Sequence, residues 1–350
     1  MNKRVSTEDT GSAAGKQPPD PTPEGLTPDP EGPESRRRRR RSPMAREEAR
    51  AGLTLITPTL VIVVLVVVVP VLWTVLLAFQ NVGLLNIRSA GLFGNFTVQN
   101  FTEVLTSPGF LVALRTTVVY SVLGTFSAIC LGLVAALALR QHFRGRNFVR
   151  ASMLLPYVAP VVAATFVWTT MLNPQFGIVN HWGTRLLGWE DPVAFLTDRS
   201  TEVSLLGWQF GVPTALLTVI AFEAWRSFPF AFLFLTARLQ AVPASLEEAA
   251  RMDGATPTQR FRYIILPQLM PTIAVLTVLR FIWTFNSFDD IYLLTGGGAG
   301  TEVVAVRVFD FLTARGDIGA AAAQALVLAA ILAVLVTVYL RWAGRTEETT

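Results

Sequence analysis

Six long apolar runs, separated by shorter polar stretches, dominate the chain from residue 53 onward. They fall near 53–80, 112–139, 149–172, 213–238, 265–288 and 318–341. Each is long enough to cross a hydrocarbon core of ~30 Å, which takes roughly 20 helical residues. The first run is dense in valine, a residue that favours strands in water. In lipid every backbone polar group needs an internal partner, so a helix is the predicted form there. The pattern therefore predicts an all-α integral membrane protein with six transmembrane helices.

Arginine placement orients these helices. Arg140, Arg144, Arg146 and Arg150 cluster in and beside the second connection, and Arg238, Arg251, Arg260 and Arg262 in the fourth. Arg341 and Arg345 follow the last run, whereas the alternate connections carry only Arg88, then Arg185 and Arg199, then Arg307 and Arg315. The positive-inside rule then places both termini and the fourth connection in the cytoplasm. Among the outer connections, 81–111 ends in a stretch that reads as a short interfacial helix, and 173–212 mixes Trp182, Trp189, Phe195 and Trp208 with charges. Asn95 and Asn100 lie in sequons that read as chance.

Composition agrees with a bilayer. Of 350 residues 51% are hydrophobic and 15% charged, too few charges for a soluble domain of this length. The exception is residues 1–50, which hold eight of the 21 prolines and the run Arg36–Arg41. This segment is expected to be a disordered basic cytoplasmic tail, ahead of a six-helix transmembrane domain over 51–350. It lacks the shape of a secretory signal peptide. The arginine run reads as an orientation signal or an anionic-lipid contact rather than as a nucleic-acid site. Cys130 reads as a small buried hydrophobe, and His142 and His181 lie too far apart to form a metal site together.

The fourth connection, about 243–263, is the most informative segment. Pro243 and Ser245 can open a helix whose first turn holds Glu247 and Glu248, where carboxylates favour the positive dipole end. Ala249 and Ala250 keep one face low, Gly254 can end the helix, and Thr256-Pro257 can open the next, which Pro267 bends or restarts. Glu248-Ala249-Ala250, then Gly254 and Ile264-x-Leu266-Pro267 at this spacing, resemble the EAA signature of ABC-importer permeases.

The resemblance extends over about 53–345. Trp225 to Phe230, Leu239 to Pro243, Asn173-Pro174, Asp191-Pro192 and the run Phe285 to Gly298 are similar to the subfamily importing sugars and glycerol phosphates. It implies a fold of the type I ABC-importer permease kind. It also implies a second homologous permease subunit, two ABC ATPase subunits that use ATP, an extracytoplasmic solute-binding protein, and a multi-pass place in a bacterial cell membrane. ATPase coupling is then expected from Glu248, Ala249, Ala250, Asp253, Gly254 and Pro257. No cofactor is expected in this chain.

In the fifth run Arg280, Trp283, Thr284 and Ser287 share one helical face, flanked by Asn286 and Asp290, with Asp289 at the outer mouth. Polar groups at membrane depth face a cavity or a partner helix, so this face is either a substrate path or interhelical glue. An aromatic ring beside hydrogen-bonding groups suits a sugar; Arg280 would suit glycerol 3-phosphate. Glu223 and Arg226, one turn apart, read as an intrahelical ion pair, and Pro229 as a kink. A proton-coupled secondary transporter using Glu223 or Asp290 is the alternative from another class. The Gly296–Gly300 stretch reads as a flexible outer turn, since no Lys-Ser or Lys-Thr follows it to make a phosphate loop. No catalytic triad or metal cluster is visible, so transport rather than catalysis is expected.

Overall fold

A computed structural model describes residues 54–347 apart from 92, 93, 95, 187, 190, 206 and 207. The tail expected over 1–50 lies outside the described residues. Among the described residues, five helices are long and apolar enough to cross a membrane. They are α1 (Thr54–Ala78), α3 (Pro108–Ala138), α8 (Thr214–Gln240), α10 (Pro257–Phe285) and α13, whose apolar part is Ile318–Arg341. The shorter α2 (Gln99–Thr106) precedes α3, and the packing described below concerns residues from Ile62 onward.

The third expected span, 149–172, is not one helix. Its residues form α4 (Arg146–Met153), α5 (Leu155–Val158) and α6 (Val161–Met171). The two arms on either side of Ala159-Pro160 diverge by 98°. Ala159 is extended (φ −63°, ψ 137°), as the residue before a proline prefers, so the helix breaks there. At 1.5 Å per residue α6 is roughly 16 Å long, about half a hydrocarbon core. A sixth crossing therefore needs both arms.

The connection 173–212 is also more ordered than its composition indicates. It holds α7 (Ile178–Leu186) and an antiparallel hairpin, β1 (Thr201–Leu205) with β2 (Trp208–Val212), in register Thr201 to Val212. The strands T-E-V-S-L and W-Q-F-G-V contain the β-branched and aromatic residues that pair well in a pleated sheet. In the connection 81–111, α2 forms as expected. Asn100 is buried there and donates through Nδ2 to the carbonyls of Ala78 (3.0 Å) and Gln80 (2.9 Å), which ties α2 to the end of α1.

After α10 come α11 (Asp289–Thr295) and α12 (Val304–Thr313), joined by the Gly296–Gly300 stretch. Expected to be flexible, it is a closed turn. Gly298 N donates to Thr295 O (2.9 Å), Thr301 N to Gly298 O (3.0 Å), and the Thr295 and Thr301 hydroxyls lie 2.6 Å apart. A buried Thr301 anchors it.

Three buried clusters hold the helices together. One joins the C-terminal half of α3 to the C-terminal half of α8 and the start of α10, around Phe232, Leu235 and Leu269. A second joins the end of α1, α2 and the start of α3 to the end of α10, α12 and α13, around Phe110, Phe285 and Ala323. The third packs α3, α6, α8, α11 and α12 around Tyr120, Phe222 and Ile291. α3 and α8 run against each other along their length, and Gly132 permits the closest approach. A Cβ there would lie 2.6 Å from Ala231 Cβ and 2.8 Å from Phe232 N. Small residues let helix backbones approach in lipid, where no hydrophobic force drives them together. Gly132→Leu is expected to overpack this contact, costing at least about 1–3 kcal/mol and lowering the thermal unfolding midpoint in detergent. An unchanged midpoint would mean that α3 and α8 are not held at this point.

Candidate functional site

On α8, Glu223, Arg226, Ser227 and Phe230 fall at i, i+3, i+4 and i+7 and so share a face. That face meets the end of α10 and the start of α11. The Glu223 side chain is 1% exposed, that of Asp290 0% and that of Arg280 6%. Charges this deep need partners. Arg280 Nη2 donates to Glu223 Oε1, and Thr284 Oγ1 and Ser227 Oγ each donate to the same oxygen at 3.0 Å. Arg226 Nη2 donates to Asp290 Oδ2 at 2.9 Å and lies 3.6 Å from Glu223 Oε2. Two guanidiniums and two carboxylates thus form one network joining α8, α10 and α11. The expected Glu223–Arg226 pair exists, but each member has a closer partner on another helix.

This network divides the polar face expected on α10. Arg280 and Thr284 turn inward to Glu223, whereas Trp283 is 48% exposed. Asn286 and Ser287 lie just beyond the last turn. Asn286 is exposed and donates through Nδ2 to Ile282 O at 2.8 Å, while Ser287 is half-buried, its N donating to Thr284 O at 3.1 Å. Asp290 joins the buried network and Asp289 stays exposed.

Trp283 belongs to an exposed aromatic surface that sequence reasoning missed. Its ring meets Phe230 of α8 edge-on at 5.1 Å, and Phe230 in turn meets Phe234 at 4.8 Å and Tyr157 of α5 at 6.0 Å. The Arg280 guanidinium lies 5.7 Å from the Trp283 ring and fixes it by a cation–π contact. Aromatic residues four apart on α8 were legible; that the α5 arm would bring Tyr157 to them was not, because it depends on the break at Pro160. Pro229 sits within α8, which continues through it.

The fourth connection folds largely as its residues dictate. α9 (Ala244–Met252) starts after Pro243. Its end is a Schellman turn: Ala255 N donates to Ala250 O (2.9 Å) and Gly254 N to Arg251 O (3.0 Å), with Gly254 at φ +79°. That left-handed φ is the reason for glycine at the position. Thr256 and Gln259 then form a reciprocal cap at the start of α10, with Pro257 in its first turn. A π turn over Phe261–Ile265 leads into Pro267, and the helix continues beyond it. Glu248, Ala249, Asp253, Gly254 and Pro257 are exposed and Ala250 is half-buried. Glu247 points the other way, buried against Arg140 at the end of α3. Glu248, the next residue, is exposed at the edge of the same cleft, so α9 anchors by Glu247 and leaves Glu248 open to solvent.

Residues 128–347 match the family described as binding-protein-dependent transport system inner membrane component. The chain belongs to this family. It is 34% identical over 281 residues to the inner membrane ABC transporter permease protein YcjO of Escherichia coli K12, covering 80% of this chain and 89% of that one. It is 31% identical over 297 residues to the trehalose/maltose transport system permease protein MalF of Thermococcus litoralis, covering 84% and 94%. Its fold is similar to a chain in the crystal structure of a bacterial ABC transporter involved in the import of the acidic polysaccharide alginate. That likeness has a TM-score of 0.72 at 21% identity and covers 86% of this chain and 98% of that one. The permease is a multi-pass plasma-membrane protein.

Removing one partner of the buried network is expected to leave an uncompensated charge. Glu223→Ala is expected to cost about 3–5 kcal/mol and to lower both yield and unfolding midpoint. Pairing it with Arg280→Met is expected to recover most of the loss. Full stability of Glu223→Ala alone would contradict the network as the tie between α8 and α10.

Proposed function

We propose that this permease forms half of the translocation pathway of an ATP-driven importer for a sugar or oligosaccharide, crossing the membrane six times with both termini in the cytoplasm. The observation that carries the substrate class is the exposed rings of Trp283, Phe234 and Tyr157 around a half-buried Phe230, beside a polar network. Aromatic faces cover the apolar faces of sugar rings, and a few fixed polar groups orient the hydroxyls. The trehalose/maltose relative supports the same class. Along the path, Trp283, Asn286 and Ser287 contact the solute, while Arg280, Thr284 and Asp290 hold the helices that carry them. Import of glycerol 3-phosphate is the second reading within the same family; Arg280, which pairs with Glu223, would not be its free anion contact.

Energy enters at α9. Its outward Glu248, Ala249, Asp253, Gly254 and Pro257, with the half-buried Ala250, form the docking surface for an ABC ATPase subunit. The complete assembly pairs this chain with a second related permease, two ATPase subunits that hydrolyse ATP, and an extracytoplasmic solute-binding protein. The chain itself moves solute and carries no catalytic centre or cofactor.

ATP-dependent uptake of radiolabelled maltose by cells expressing the whole system tests this reading. Trp283→Ala is expected to lower uptake about fivefold, the loss of roughly 1 kcal/mol of ring contact. Gly254→Pro and Glu248→Arg are expected to abolish it with membrane insertion intact. Uptake at the wild-type rate in all three variants would sink the proposal.

A further inference from the structure

α9 hangs below the membrane helices by few contacts. A cleft of about 490 Å³ separates it from the ends of α3 and α10, lined by Arg140, Glu247, Glu248, Arg251 and Arg260 among others. Ser245, Leu246, Glu248, Ala249, Arg251 and Met252 are all exposed, and Glu247 is the one residue of α9 buried among the described residues. What Glu247 meets across the cleft is Arg140, 107 positions earlier in the chain. The side chains are 31% and 11% exposed for Arg140 and Glu247, so the pair is shielded on its acidic side.

Arg140 is itself held in place. It follows the last turn of α3, whose terminal carbonyls would otherwise lack partners. Arg150 Nη2 donates to Leu139 O at 3.0 Å, and Arg146 Nη1 donates to Arg140 O at 3.3 Å. Two arginines of α4 thus fix the backbone from which Arg140 reaches α9. They also place positive charge at the negative end of the α3 dipole. Behind that end, Leu139 is buried with Leu235 and Leu239 of α8, in the same cluster as Gly132's neighbour Ala231. A shift of Glu247 is therefore passed to α3, and through close packing to α8.

We propose that Arg140 is a positioning residue for energy coupling: its ion pair with Glu247 binds α9 to α3, so that α9, α3 and α8 shift as one body when an ATPase moves α9. The alternative is that α9 acts on its flanking helices α8 and α10 through the chain alone. An exposed ion pair would contribute too little to impose this, but a partly buried pair on a fixed backbone holds one geometry. The inference rests on α9 being the ATPase-docking element.

The test is a distance between spin labels at Gln141→Cys and Ser245→Cys, in a Cys130→Ala background, in the complex purified with its ATPase. It is read without nucleotide and with ATP–vanadate. In the parent, one narrow distance is expected, the same in both states. Arg140→Ala is expected to lose that narrow distance, and the charge-swapped Arg140→Glu/Glu247→Arg to restore it. ATP hydrolysis by the complex is expected to persist in Arg140→Ala while maltose uptake falls, a separation that simple misfolding would not produce. A distribution in Arg140→Ala identical to the parent, or a parent distance that shifts with ATP, would overturn the proposal. If no ATPase co-purifies, the importer reading fails instead; the distance in the chain alone still reports whether Arg140 holds α9.

Discussion

The constraint on which this structure depends is the cost of separating buried charges. Glu223 pairs with Arg280, and Arg226 with Asp290, at positions where three of the four side chains are almost wholly buried. Opening either pair would leave an ion in a low-dielectric interior, a penalty of several kcal/mol. α8, α10 and α11 are therefore bound into a unit that has to move together. Alternating exposure of a pathway then requires this unit to rock as a body, rather than α8 to part from α10. The same network sets the surface proposed to face solute. Because Arg280 and Thr284 turn inward, Trp283 is left on the outside, beside Phe230.

Much of the fold was legible because hydrophobic length is a direct consequence of the bilayer. The runs near 53–80, 112–139, 213–238 and 318–341 meet helices that end within a few residues of those limits. Where the reading failed, local chemistry competed with length. Leu154 to Pro160 contains two prolines, and the break at Ala159-Pro160 turns an apolar run of adequate length into two arms. The hairpin over 201–212 was hidden because its strands are short and lie in a segment rich in tryptophan and charge. The turn at Gly296–Gly300 read as flexible from its glycines, whereas Thr295 and Thr301 close it by hydrogen bonds.

At the site, the local motifs were readable and the long-range pairings were not. Pro243, Gly254, Thr256 and Gln259 each act within a few residues, so α9 and its Schellman turn follow from the sequence. Glu223 meets Arg280 across 57 positions and Arg140 meets Glu247 across 107. A sequence shows that four charges lie near the ends or middles of apolar runs, and that they must be neutralised. It does not show which helices bring them together. The arginines read only as an orientation signal also proved structural: Arg146, Arg150 and Arg238 each donate to a backbone carbonyl at 3.3 Å or less.

Two ends of the molecule thus have separate tasks. In the proposed reading the aromatic and polar surface around Trp283 meets solute and α9 meets a motor, and α3 packs closely against α8. The central claim is that this chain is driven from outside itself, through α9. The most direct measurement is affinity purification from the native membrane, with co-purifying subunits identified by mass spectrometry for the wild type and for Glu248→Arg. An ABC ATPase and a second permease should accompany the wild type, and the ATPase should be depleted with Glu248→Arg. A chain that purifies alone, or an ATPase retained equally by both, would contradict the account.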